Sequence, residues 1–175
     1  MFAVYATAPN PDDPLASLAL GERPDPDVPD GWVAVNVKAA TLNMHDVFTL
    51  KGVGISPDRF PMILGCDGAG VLDDGTEVVL HAVVSSDGWT GDETLDPKRS
   101  ILTERHQGTF ADRVIVPARN VLPKPAALSF AQAACMGTAW LTAYRMLFVK
   151  SGLRPGQTML VQGASGGVAT ALIAL

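Results

Sequence analysis

TMLVQGASGGVATALIAL, residues 158–175, is the stretch whose reading decides the fold. Thr158 to Gln162 is apolar enough for a short buried strand, Gly163 to Gly167 is a tight glycine turn, and Val168 to Leu175 starts an apolar helix. That order suits a bound phosphate: the turn lets backbone come close, and the helix N-terminus adds free amides and the positive end of its dipole. Against the G-x-G-x-x-G/A fingerprint, Ala164, Gly166 and Ala169 take the three slots, which is a partial match. Taken alone, the turn reads equally well as a ligand-free corner between a strand and a helix. The rest of the chain has to decide.

Just upstream, LSFAQAACMGTAWLTAYRMLFVKSGLRPGQ (128–157) reads as helical. Ser129 and Gln132 have the spacing of a capping box, in which each side chain satisfies an exposed backbone donor of the first turn. Gly152 and Pro155 end the run, and Gly137 marks a place where it divides in two. Trp140 and Tyr144 stand at helical spacing and read as packing residues.

Before residue 122 the character is β. FAVYA opens a strand, and GERPDPDVPDG (21–31), with four acids and three prolines, is a surface loop. Trp32, Ala34, Asn36 and Lys38 alternate with Val33, Val35, Val37 and Ala39, the period-2 pattern of a half-buried strand. Asp74-Gly75 separates AGVL from EVVLHAVV as a hairpin turn does. TFADRVIVPARNVLPKP adds further strand, and the polar run from Ser85 to Gly108 reads as an exposed excursion. Several short strands with such turns predict a barrel or sandwich. The expected architecture is therefore mixed α/β, a β unit over residues 1–122 followed by the opening of an α/β unit over 123–175.

Charge and cysteine content narrow the partners. A net charge of −5 with no clustered basic face argues against nucleic acid or an anionic membrane surface. No run reaches the roughly 20 apolar residues of a membrane span, and the N-terminus lacks a secretory pattern. Cys66 and Cys135 form neither a disulfide framework nor a CxxC pair, which predicts a reducing, cytoplasmic setting. A small molecule is the expected partner.

The stretches AATLNMHDVFTLKGVG, FPMILGCDGAGVL, GTFADRVIVPARNVLPKPAALSFAQAA, GTAWLTAYRML and GQTMLVQGASGGVA together resemble the medium-chain dehydrogenase/reductase family, nearest to its quinone oxidoreductase-like members. The resemblance covers nearly all of the chain. It implies a GroES-like β-barrel domain at 1–122, the truncated start of a Rossmann domain at 123–175, and a cytoplasmic homo-oligomer. It further implies hydride transfer from NADP(H) or NAD(H) to an enone, quinone or other carbonyl substrate. The cofactor preference is unreadable, because the ribose-binding end of the second Rossmann strand lies outside these residues.

Residue by residue, the resemblance sets Asn43, Cys66 and Thr138 where zinc-bearing relatives keep their metal ligands. An amide, a lone thiol and a hydroxyl do not make a zinc set, so no catalytic zinc is expected. The Ser85–Gly108 run contains no cysteine, so no structural zinc is expected there either. Asn43 becomes a candidate donor near the nicotinamide and the substrate oxygen, with Asp46, Cys66 and Asp67 completing the catalytic candidates. Thr138, Thr142 and the loop Gly163, Ala164, Ser165, Gly166, Gly167 and Val168 are the cofactor candidates beside Asn43. Each has a plainer competitor: Asn43 capping a turn, Cys66 a buried packing residue, Thr142 an ordinary helix hydroxyl. His45, beside Asp46, reads as a surface or hydrogen-bonded histidine.

The resemblance also predicts that this stretch of chain is a piece of a longer enzyme, inactive by itself and loosely folded after residue 122 or paired with another copy. The competing reading is a stand-alone GroES-like binding module without hydride transfer. Apolar exposure near Val161 and Leu172 separates the two, since an evolved module has polar residues there.

Overall fold

A computed structural model describes residues 1–175. Its central sheet is antiparallel, built from β3 (Trp32–Thr41), β5 (Asp67–Leu72), β6 (Glu77–Leu80), β9 (Arg113–Pro117) and β10 (Val121–Pro123) in the order β10-β6-β5-β3-β9. A second sheet, β2-β1-β4, joins β1 (Phe2–Ala6) to β2 (Leu18–Glu22) and β4 (Met62–Ile63). The hairpin β7 (Val83–Val84) and β8 (Ser100–Ile101) makes the third. The first two sheets curl into one half-barrel because Val4 donates to the Phe110 carbonyl, Phe110 to Leu64, and Leu64 back to Val4. The curled sheet agrees with the expected barrel-like β architecture.

Its strands follow from the sequence. β3 pairs with β5 on one side and with the edge strand β9 on the other, and most of its residues are half-buried, with Ala34 and Val35 fully covered. Its register with β5 slips between Val37 and Ala39. Gly70 lies opposite, where a side chain would overlap the Asn36 carbonyl. The Asp74-Gly75 turn closes β5 on β6 as anticipated, with Gly75 at positive φ. The main core is Val35, Cys66, Val78, Leu80, Ala82, Val84, Leu102, Val114 and Val116.

Four sequence expectations need correction. The surface loop expected from Gly21 starts later, because Gly21 and Glu22 belong to β2 and pair with β1. The polar run from Ser85 to Gly108 is only half an excursion: Asp96, Ser100, Leu102 and Thr103 are buried, and Leu102 enters the main core. Gly137 does not divide the helix. The backbone stays helical through α2 (Phe130–Ala134), a π-turned stretch Met136–Trp140, α3 (Leu141–Tyr144) and a second π-turned stretch Arg145–Lys150. The Ser129–Gln132 capping box opens that run as expected.

The fourth correction is the largest. Thr158–Gln162 is no strand, and Leu160 is 86% exposed. Within these residues no parallel strand lies beside it, so its backbone donors and acceptors have no ladder to join. α4 (Gly167–Ala174) forms nevertheless, because helical hydrogen bonds are internal and its Ala169 and Ala171 pack on the preceding helical run. α1 (Met44–Lys51) ends at Gly52, whose φ of 79° gives the left-handed cap.

Candidate functional site

The end of β3, the start of α1, the start of β5 and the helical stretch 135–140 converge on a cleft of about 890 Å³. Its walls are mostly apolar, with Leu42, Val47, Leu50, Leu64, Phe110 and Trp140 among them. Asn43, His45, Asp46, Asp67 and Thr138 supply the polar groups, and Gly167, Val168 and Thr170 bring the start of α4 to its edge.

Asp67 organises the polar wall. Its carboxylate accepts from the Thr138 amide (2.8 Å) and hydroxyl (2.7 Å), the Asn43 side-chain amide (3.0 Å) and the Thr41 hydroxyl (3.2 Å). Its carbonyl accepts from the Thr109 hydroxyl at 2.7 Å. One buried acid thus ties β5 to the end of β3, the entry of α1 and the helical run. Burial pushes its carboxyl above the ordinary range, against the opposing pull of the Thr138 and Asn43 bonds. Gly137 makes the approach possible, since a Cβ there would overlap the Asp67 carboxylate.

Asp46 does a parallel job at the start of α1. It accepts from the Asn43 backbone amide (2.7 Å) and the Gly65 amide (2.9 Å), joining the helix to the turn before β5. Burial raises its carboxyl as well, opposed by those two amides. Asn43 directs one side-chain N–H at Asp67 and the other, at a long 3.4 Å, at the Thr41 carbonyl. Cys66 is fully buried in the main core, with its sulfur 3.5 Å from the Thr138 hydroxyl. Burial first, then the neighbouring Asp67, pushes its thiol up to about 12. A protonated, inaccessible thiol fits the packing reading of Cys66 and not a nucleophile.

The cofactor candidates divide. Thr138 stands on the cleft wall, whereas Thr142 is exposed on α3 and lines no part of the cleft. At the glycine turn, Gly163 has φ 68° and its carbonyl accepts from Gly166 N–H, which turns the chain into α4. The opening amides of α4 have no acceptor within the helix, and neither Gly163 nor Gly167 has a side chain to fill the space before them. Those features fit a pyrophosphate.

The metal positions do not fit zinc. Asn43 has its amide on Asp67, Cys66 is the one thiol among the three and Thr138 is a hydroxyl already donated to Asp67. No three His, Cys, Asp or Glu side chains gather as a metal set anywhere in the structure.

Residues 29–126 match the model of the alcohol dehydrogenase GroES-like domain, more than half of the chain. The chain belongs to the medium-chain dehydrogenase/reductase family. Among its medium-chain dehydrogenase/reductase relatives, a crotonyl-CoA reductase of Streptomyces avermitilis is 32% identical over 96% of this chain and 45% of its own length. A solved NAD-dependent alcohol dehydrogenase superposes with a TM-score of 0.90 at 37% identity, over 99% of this chain and 54% of that one. A thermostable alcohol dehydrogenase from Pyrobaculum aerophilum, solved with cobalt and zinc bound, gives 0.86 at 26% identity, again over 99% and 54%. The chain therefore spans about half the length of the relatives it matches. No helix is long and apolar enough to cross a membrane.

Several residues of this site escaped the sequence reading. Thr41 binds Asp67 from the end of β3 and Thr109 from the loop before β9, and Trp140 lines the cleft instead of packing inside. Gly137 carried a signal, a glycine beside the candidate Thr138, but it was read as a helix break.

Proposed function

We propose that residues 1–122 form the substrate side, and 123–175 the opening of the cofactor side, of an NAD(P)H-dependent oxidoreductase that works without zinc. Its substrate is an enone, quinone or other carbonyl acceptor, and it assembles as a homo-oligomer. The observation that carries this reading is the Asn43–Asp67–Thr138 hub, which replaces a metal set with hydrogen bonds on the wall of an apolar cleft reaching the glycine turn. The crotonyl-CoA reductase relative, named for an α,β-unsaturated thioester, supports the enone class.

A bound nicotinamide supplies the hydride. The chain's residues hold, orient and polarise. Gly163, Ala164, Ser165, Gly166, Gly167 and Val168 hold the pyrophosphate through backbone amides. Asp67, fixed by Thr138 and Thr41, clamps one N–H of Asn43 and so sets the plane of its amide. The other N–H, held only by the 3.4 Å bond to Thr41, turns its hydrogen bond to the acceptor oxygen, keeping its proton, as negative charge develops there. The apolar walls keep water from that oxygen and strengthen the bond. Exposed Leu160 and Ile173, beside half-buried Val161 and Leu172, favour this reading over a stand-alone module, which would present polar residues there.

The test is to express the protein as its reading frame encodes it and follow nicotinamide oxidation with enones, quinones and enoyl thioesters, with metal analysis of the same sample. Turnover that survives a chelator, in protein without stoichiometric zinc, is the expected result. Asn43→Ala should then lower kcat by about 10²–10³, the loss typical of one oxyanion donor. Tightly bound zinc whose removal abolishes turnover, or no turnover with either cofactor, overturns the proposal.

A further inference from the structure

Away from the cleft, and sharing none of its residues, a second recess of about 560 Å³ opens on the outer face of the half-barrel. Its volume lies in the range of small-molecule sites. Arg23, Arg105 and Arg113 line it, on a chain whose net charge is −5. Arg113 is neutralised by Asp73 at 2.6 Å. Arg23 and Arg105 have no carboxylate within ion-pair distance. The Arg23 guanidinium lies 5.0 Å over the Tyr5 ring, and Arg105 donates to the Lys98 carbonyl at 3.0 Å. Asp25 is the one acid of the lining, and it is held by the Met1 ammonium at 2.9 Å.

The lining also carries two half-buried rings. Trp32 and His106 lie 5.0 Å apart between ring centroids and are tilted by 53°, and Pro24, Pro26 and Pro29 complete the lining. Burial, with Arg105 and Arg59 nearby, lowers the His106 pKa, so the imidazole is neutral at physiological pH and serves as ring surface instead of a third cation. Arginines without acid partners beside an aromatic ring are the pairing that recognises a planar ring carrying an anionic group.

We propose that this recess binds a small phosphomonoester bearing a planar ring, of mononucleotide size, with Arg23 and Arg105 on the phosphate and one face of the tilted Trp32–His106 pair against the ring. The site is independent of the hydride-transfer reading. Adenosine 5′-monophosphate, adenosine and inorganic phosphate are the probes, titrated by calorimetry into the protein expressed from its own reading frame.

The monophosphate should bind at least about tenfold more tightly than either adenosine or inorganic phosphate, because only it uses both halves of the recess. Arg23→Ala with Arg105→Ala should weaken it by about tenfold or more, with the fold checked by circular dichroism. Gly166→Val, which obstructs the glycine turn, should leave this binding in place. Equal affinity for monophosphate and inorganic phosphate, an unaffected double arginine variant, or loss of all binding in Gly166→Val overturns the proposal, the last by assigning the binding to the cofactor turn.

Discussion

At the scale of single residues, the two cysteines separate most sharply. Cys66 has no exposed surface and a thiol pushed up to about 12, whereas Cys135 is exposed at the cleft. A thiol-disulfide reagent in native buffer should therefore label Cys135 within minutes and Cys66 only after denaturant is added. Rapid native labelling of Cys66 would show that the core around it opens. Asp46 gives a second expectation. Burial raises its folded pKa, so between the unfolded value of 3.8 and the folded one the native state binds more protons than the unfolded chain. Its contribution is full below the unfolded pKa and is lost as pH rises through the folded one. Asparagine does not titrate, so the stability advantage of wild type over Asp46→Asn should be larger near about pH 4 than near about pH 7, read from urea midpoints. A pH-independent gap would mean that the carboxyl does not titrate differently on folding. Asn43 and Asp67 were legible as candidates from the resemblance, but their mutual bond was not, because 24 positions separate them and no local pattern links such distant groups.

Among the elements, the helical run from α2 to α3 meets the buried acid of the cleft through a glycine. Gly137 lets the Met136–Trp140 stretch lie against Asp67, and a methyl there would overlap the carboxylate. Gly137→Ala should destabilise the protein by about 1–3 kcal/mol, the usual cost of overpacking, and lower kcat with it by displacing Thr138. A variant that keeps full stability would show that the helix shifts freely past Asp67. The capping box at Ser129 and the hairpin at Asp74-Gly75 were legible because both are local: a few adjacent residues hold all the hydrogen-bonding information. Thr158–Gln162 was misread for the opposite reason. Its composition suits a buried strand, but a strand exists only where a neighbour supplies the other half of every hydrogen bond.

Across the whole molecule, stability is uneven. The five-stranded sheet encloses a core with fully buried Val35 and Val116, whereas residues 151–166 are nearly all exposed and carry no regular element. Hydrogen exchange on the 175-residue chain should show near-global protection in β3, β5 and β9 and rapid exchange over 158–166. Strong protection there in a monomer would show an ordering contact other than strand pairing. Leu80→Ala, in the main core, should cost about 2–5 kcal/mol and lower the exchange protection of the whole half-barrel. The sequence by itself determined the half-barrel's principal strands, the capped helix after it and the glycine turn. These depend on residue identity and short-range periodicity, which survive without coordinates. Only the tertiary structure decided that Asp67 joins Thr41, Asn43 and Thr138, that Leu102 enters the core from a polar run, and that the strand expected at 158–162 is not formed. Each of these depends on which distant group, if any, arrives to complete a bond or to exclude water, and the energy of burying a polar group is fixed by that partner and not by the residue itself.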